Sequence, residues 1–347
     1  MMNASSNFSY EPPCPLTKDS EEKIVLKILA YSAVFCVALL GNIRVILLVL
    51  QSSTMRRRTI NLFVVNMAIS DLLISLFAMP RMMISIADGT GVWYVTGNVG
   101  NALCKLYFFI QDAATAVSIE SLIIIACDRY FALAYPTHAA PTSKRRLLII
   151  LITWVIAFSV HFPYLFTYKL QTFGDANYCI HSWSSDQQEH FKMLLNYYLV
   201  QFTLFVVVPI VLLTALYSGI LYKLKQQGYL IRSVSNGSSS SKRRREYHVL
   251  KMAIAILAGF AICWVPFNTY VFIMVFIWKF AGPCNLQDLL FFVLFMAYSN
   301  SALNPCIYIF FSRNFQKLSK RHLTKKRAIN LQLMEFCRVR DRINEIL

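Results

Sequence analysis

Seven stretches of this chain are too long and too apolar to serve as core elements of a water-soluble domain. They run Ile24–Leu50, Leu62–Met83, Leu106–Cys127, Leu147–Phe166, Tyr197–Tyr222, Val249–Ile277 and Leu286–Phe311. Each reaches about 20 residues or more, the length at which an α-helix crosses the roughly 30 Å of a bilayer's hydrocarbon. In that layer every backbone N–H and C=O must be satisfied by the protein itself, which leaves helices and closed barrels as spanning elements. A barrel needs period-two alternation in units of about ten residues, and these stretches have none. The sequence therefore predicts an all-α membrane protein, a seven-transmembrane helix bundle in one domain. No internal repeat of the solenoid or propeller kind is visible.

Composition matters here for where the charge sits. The net charge is +17, yet only 15% of residues are charged and 57% are hydrophobic. A soluble nucleic-acid binder would carry more charge on a thinner apolar fraction, so no nucleic-acid partner is expected. Of the 34 Lys and Arg, 23 lie on the first, third and fifth connections and after the last span, eight lie on the opposite side, and Arg44, Arg129 and Lys251 fall within or beside spans. By the positive-inside rule the N-terminus is outside and the C-terminus inside, as in a multi-pass plasma-membrane protein. The basic face is expected to meet anionic membrane lipid.

The expected organisation is an extracellular tail over 1–23, the bundle over 24–311, a short amphipathic membrane-surface helix over 312–323 and a cytoplasmic tail over 324–347. Phe311, Phe315 and Leu318 recur at helical spacing among polar residues, as a helix on the inner membrane face requires. Residues 1–23 contain no apolar signal-peptide core, so the first span is expected to act as the anchor. Asn3 and Asn7 head glycosylation acceptors in the outside tail, whereas the acceptor at Asn236 faces the cytoplasm. Cys104 and Cys179 lie at the outer face and admit a bridge, and Cys14 with Cys284 is a second pairing, connectivity being left open by sequence.

Ionisable groups inside spans are expensive and need a reason. Asp71 lies in the middle of the second span, at the depth of Asn42, Ser118, Asn300, Ser301 and Asn304. Such an oxygen-rich set suits a small hard cation or several waters, or else a hydrated cluster that only packs helices. Asp128-Arg129-Tyr130 ends the third span at the depth where Glu246 opens the sixth. Arg129 either snorkels to the interface or pairs with Asp128 and Glu246 as a two-state latch. Pro80, Pro163, Pro209, Pro266 and Pro305 each delete a backbone hydrogen bond within a span and are expected to kink it. Glu120, in the middle of the third span, is expected to face another helix or the lipid boundary instead of a ligand.

These features in order resemble the rhodopsin-like (class A) G-protein-coupled receptors. The resemblance is carried by Gly41-Asn42, Asn66-Met-Ala-Ile-Ser-Asp71, Cys104, Asp128-Arg129-Tyr130 with Pro136, Trp154, and Pro209 with Tyr217. It continues through Phe260 with Cys263-Trp264-Val265-Pro266 and Asn300-Ser301-Ala-Leu-Asn304-Pro305-Cys-Ile-Tyr308. The resemblance implies a Cys104–Cys179 disulfide and an allosteric sodium ion as the one metal, held around Asp71, Ser118, Asn300 and Asn304. It implies Trp264 at the pocket floor, with Ile119, Pro209, Phe260 and Pro266 as the switch beneath. Arg129 would meet a heterotrimeric G protein, supported by Tyr217 and Tyr308, with Glu246 as the acidic latch partner. Arrestin and receptor kinases are implied as further partners.

The ligand class follows from single positions. A retinal pigment needs a Lys in the seventh span, and Leu286–Phe311 has none. Aminergic members carry an Asp 18 residues before the Arg of the Asp-Arg-Tyr motif, where this chain has Gln111, with Asp112 turned about 100° around the helix. Gln at this position looks like several neuropeptide receptor groups. The expected contacts of an extracellular peptide are Arg81, Gln111, Asp112, Thr115, Trp264, Phe267 and Tyr298, in an aromatic mouth with Trp93, Tyr94, Tyr178 and Tyr270. The alternative is an aminergic or other small-molecule receptor with the ammonium on Asp112. A transporter or channel would also use Asp71 and broken helices, but lacks the inverted repeat it needs. An enzyme would need a nucleophile–base pair or a metal-ligand spacing, and neither is present.

Overall fold

The first, second, third and fifth apolar stretches lie within helices that outrun them, because the polar residues that cap a helix are invisible to a search for apolar runs. A computed structural model of the chain describes residues 19–135, 142–232, 240–283, 285–311 and 316, with side chains in that set except at 224–225, 227–232 and 240–249. The spans are Glu21–Gln51, Thr59–Asp88, Gly97–Ala134, Ser143–Thr167, Gln187–Lys223, Leu250–Ile277 and Gln287–Phe311. Helix starts carry their own signals. The Ser20 side chain accepts from Lys23 N, with Glu21 and Glu22 in the first turn, and Asp186 Oδ1 accepts from Glu189 N at 2.8 Å. Gly89, at φ 71°, ends the second span by donating its N–H to Ser85 O.

The bundle is apolar outside and polar at its centre, the inverse of a soluble fold. Leu26, Leu40, Val155 and Ile262 are more than 60% exposed, while Asn42, Asn66, Ser70, Asp71, Ser118, Asn300, Ser301 and Asn304 are buried. Two apolar clusters flank that polar layer. One holds Val45, Phe63, Met67, Ile125, Ile256 and Tyr308; the other holds Tyr31, Ile74, Met79, Ala114 and Tyr298. In the first span Asn42 falls between Ala38 of one cluster and Val45 of the other, and in the second Asp71 falls between Ala68 and Ile74. The third span is central and contacts the second, fourth, fifth and sixth. Where the first and seventh spans meet, a Cβ on Gly41 would stand 2.7 Å from Pro305 Cγ, so only glycine permits this approach.

Three features go beyond the sequence expectation: the hairpin, the break at Pro163 and the π-helical turn before Pro209. The loop between the fourth and fifth spans forms an antiparallel hairpin, β1 (Tyr168–Phe173) and β2 (Ala176–His181), paired from Tyr168↔His181 to Phe173↔Ala176. Gly174 supplies the positive φ, 58°, of its two-residue turn. Pro163 breaks the fourth span outright, the helix stopping at His161 and resuming at Tyr164. Pro80, Pro266 and Pro305 sit inside continuous helices. Pro209 follows one turn of π-helix at Thr203–Val207, whose wider ring re-registers the backbone ahead of the missing N–H. The expected surface helix over 312–323 apart from Gln316, the acceptors Asn3 and Asn7, and Cys14 and Cys284 lie outside the described residues.

Candidate functional site

A cavity of about 460 Å³ opens among the second to seventh spans, at the end of the bundle that carries the β1–β2 hairpin. Arg81, Gln111, Asp112, Thr115, Trp264, Phe267 and Tyr298 all line it. The third span supplies Gln111 and Thr115 from successive turns of one face, with Asp112 about 100° around the helix from Gln111, and the Thr115 hydroxyl donates back to Gln111 O at 3.0 Å. The floor is Trp264, stacked on Phe260 at 5.9 Å between centroids and edge-on to Phe267 at 5.7 Å. Ile119 also lines it, so part of the expected switch is in contact with the cavity space.

A polar network runs along one wall. Tyr164 OH donates to Asp112 Oδ2 at 2.9 Å, Gln111 Nε2 donates to Asp112 Oδ1 at 3.3 Å, and Tyr298 OH donates to Gln111 Oε1 at 3.3 Å. Gln201 Nε2 donates to Tyr164 OH at 3.0 Å, joining the fifth span to the fourth. On another wall Arg81 Nη2 donates to Gly91 O at 2.7 Å. The hairpin supplies the roof. The Cys104–Cys179 disulfide, with Cα atoms 5.6 Å apart, ties β2 to the third span, and Tyr168 of β1 lines the cavity while stacking on His181 at 4.3 Å.

Of the expected aromatic mouth, Phe267 and Tyr298 line the cavity. Trp93 instead packs edge-on to Tyr107, Tyr178 packs on Phe173 of the same hairpin, and Tyr94 is 62% exposed. Sequence reasoning missed Tyr107, Tyr164, Tyr168, Gln201 and Asn268, which also line the space. Tyr164 and Gln201 had one legible signal, a polar group in or beside an apolar span. Tyr168 had none, because the hairpin that places it was not foreseen.

Below the floor, Asn304 Nδ2 donates to Asp71 Oδ2 at 2.9 Å. Asn42 Nδ2 donates to Ser301 O at 2.9 Å. Asp71 Oδ1, Asn42 Oδ1 and Asn300 Oδ1 are buried without a hydrogen-bond partner among the described residues. Ser118 shares its hydrogen bond with Ser70 at 2.7 Å. A further buried junction joins three spans through Asn66, which donates to Ser121 Oγ at 2.9 Å and accepts from Trp154 Nε1 at 2.9 Å.

Near the end of the third span Arg129 is paired with Asp128, its Nε donating to Oδ2 at 3.1 Å and its Nη2 to the same oxygen. Tyr217 and Tyr308 belong to the inner apolar cluster, Tyr308 OH donating to Met67 Sδ at 3.6 Å. Glu246 lies in the helix that begins the sixth span, but its side chain is outside the described set. Glu120 does not line the cavity, and both of its carboxylate oxygens are buried without a partner among the described residues.

A family profile described as 7 transmembrane receptor (rhodopsin family) matches residues 41–308. Over 296 residues the chain is 30% identical to a QRFP-like peptide receptor of Branchiostoma floridae, covering 83% of this chain and 74% of that protein. It is 27% identical to neuropeptide Y receptor type 1 of Xenopus laevis, covering 91% and 85% of the two chains. Identity to galanin receptor 2b of Danio rerio is also 27%, over 95% of this chain and 82% of the relative.

Proposed function

The chain belongs to the rhodopsin family of seven-transmembrane receptors, and from that premise we propose that it binds an extracellular peptide in the outer cavity and activates a heterotrimeric G protein on its inner face. It is a receptor, not an enzyme, and a multi-pass membrane protein. One observation carries the peptide reading. Gln111 stands at the position where amine receptors place a carboxylate, and the neighbouring Asp112 already accepts a hydrogen bond on each oxygen. An amine ligand would have to displace Tyr164 or Gln111 to reach full contact with that carboxylate. The names of the relatives, peptide receptors in each case quoted above, support the same reading.

The mechanism is a population shift between two arrangements of the bundle. A ligand pressing on Trp264 and Phe267 acts on Phe260 and Ile119 beneath, and the sixth span pivots at Pro266, where the helix lacks a backbone hydrogen bond. The pivot separates the inner ends of the third and sixth spans, and Arg129 exchanges Asp128 and Glu246 for the G protein. Tyr217 and Tyr308 turn in to support it. Arrestin and receptor kinases would compete for the same basic face, which also meets anionic lipid.

Asp71, Asn42 and Asn300 each present an unpartnered buried acceptor oxygen, the donor set a hard cation prefers. A sodium ion fits them, with Asn304 steadying the second Asp71 oxygen and Ser118 in the adjoining hydroxyl pair. Such an ion supplies charge compensation that would hold the inactive packing.

Cells expressing the receptor, challenged with peptide pools and with biogenic amines, test the reading. Signalling to peptides is expected. Signalling to amines alone would establish the alternative, an aminergic receptor with the ammonium on Asp112.

A further inference from the structure

The two charged groups that line the cavity are in opposite states of satisfaction. Asp112 accepts from Tyr164 and Gln111, one donor to each oxygen. Arg81 has one guanidinium arm engaged, Nη2 on Gly91 O, while Nη1 is buried with no hydrogen-bond partner among the described residues. Arg81 forms none of the ion pairs found among those residues, which join Lys23 and Lys27 to Asp19 and Asp288, and Arg129 to Asp128. Its guanidinium also lies 5.3 Å from the Trp93 ring, and Trp93 is 8% exposed and braced by Tyr107. The cation is therefore held in place on two sides with one nitrogen unpartnered, on a residue that lines a ligand-sized space.

A buried donor carrying full charge and no acceptor is costly, and a site built around one selects a ligand that completes it. Because the carbonyl and the ring already fix the guanidinium, little ordering remains to be done on binding. The planar fork suits a carboxylate.

Building on the peptide reading above, we infer that Arg81 is the ionic anchor of the cavity and takes a carboxylate of the ligand. In a peptide that carboxylate comes either from a free C-terminus or from an Asp or Glu side chain. The satisfied Asp112 takes the role of a wall that orients Tyr164 and Gln111 and repels the acidic end of the ligand towards Arg81.

The test uses the full-length receptor in membranes and three matched pools of short aromatic peptides. One pool has a free C-terminal carboxylate and no acidic side chain, the second an amidated terminus and one Glu, the third an amidated terminus and no acid. At least one carboxylate pool is expected to act at about ten- to a hundredfold lower concentration than the acid-free pool, the range of a hydrogen bond to a charged group. Arg81→Gln is expected to abolish that preference and Arg81→Lys to retain part of it. Preference for the first pool assigns the C-terminus, and preference for the second assigns a side chain. If Arg81→Gln fails to reach the surface, the preference in the wild-type receptor and its reduction in Arg81→Lys decide. Equal potency of the acid-free pool, or silence to both carboxylate pools, overturns the assignment to Arg81. Equal potency leaves the peptide reading standing, whereas response to biogenic amines alone removes both.

Discussion

Glu120 shows how a single side chain can work against the bundle that holds it. Its two carboxylate oxygens are buried in the third span with no partner among the described residues, and burying a carboxyl group without hydrogen bonds is unfavourable. Replacing it with Leu is expected to raise the thermal midpoint of the purified receptor, by an amount equivalent to about 1–3 kcal/mol. A lower midpoint would mean that the carboxylate makes a contact this arrangement lacks. Asp71 shows what residue-level reading achieves in a membrane span. Depth along the helix grouped it correctly with Asn304, which donates to it. Depth also grouped it with Ser118, whose hydrogen bond goes to Ser70 instead. Sequence position fixes the level of a side chain in the membrane, but its direction around the axis depends on how each helix is rotated against its neighbours.

At the scale of elements, the contact between the first and seventh spans rests on Gly41. A Cβ there would meet the Pro305 ring at 2.7 and 2.8 Å, and neither that ring nor a helix backbone moves easily. Gly41→Ala is expected to lower stability by about 1–3 kcal/mol, read as a drop in thermal midpoint. The outer hairpin carries a second prediction. Burial, with the neighbouring His190 adding to it, pushes the His181 imidazole down from its ordinary 6.5 to about 4. The packed hairpin thus disfavours the protonated ring, so its stability is full above about pH 6.5 and falls as pH drops through the window from 6.5 to 4. Hydrogen-exchange protection of the strand amides should decline across that window, and His181→Phe should flatten the decline. The hairpin was invisible in sequence because its six-residue strands sit between spans, and their burial follows no clean alternation. Span ends were read short for a related reason: Gly97–Leu103 and Gln187–Asn196 are helical but too polar to extend an apolar run.

At the scale of the whole molecule, the seven spans were legible because the bilayer imposes a minimum apolar length. The cavity was legible in part. Arg81, Gln111, Trp264 and Tyr298 come from four different spans; only Trp264 belongs to the ordered motifs, and the others were reached from their single positions along the spans. Tyr107, Tyr168 and Gln201 became lining residues only once helix rotation and the disulfide-tethered hairpin were set. The central claim concerns Arg129, which is paired with Asp128 and is proposed to exchange that partner for a G protein. The most direct test is peptide-stimulated nucleotide exchange on heterotrimeric G proteins in membranes carrying the wild-type receptor or Arg129→Ala, with peptide binding measured on the same membranes. The account predicts exchange with the wild type, and binding without exchange with Arg129→Ala. Full exchange by Arg129→Ala would contradict it.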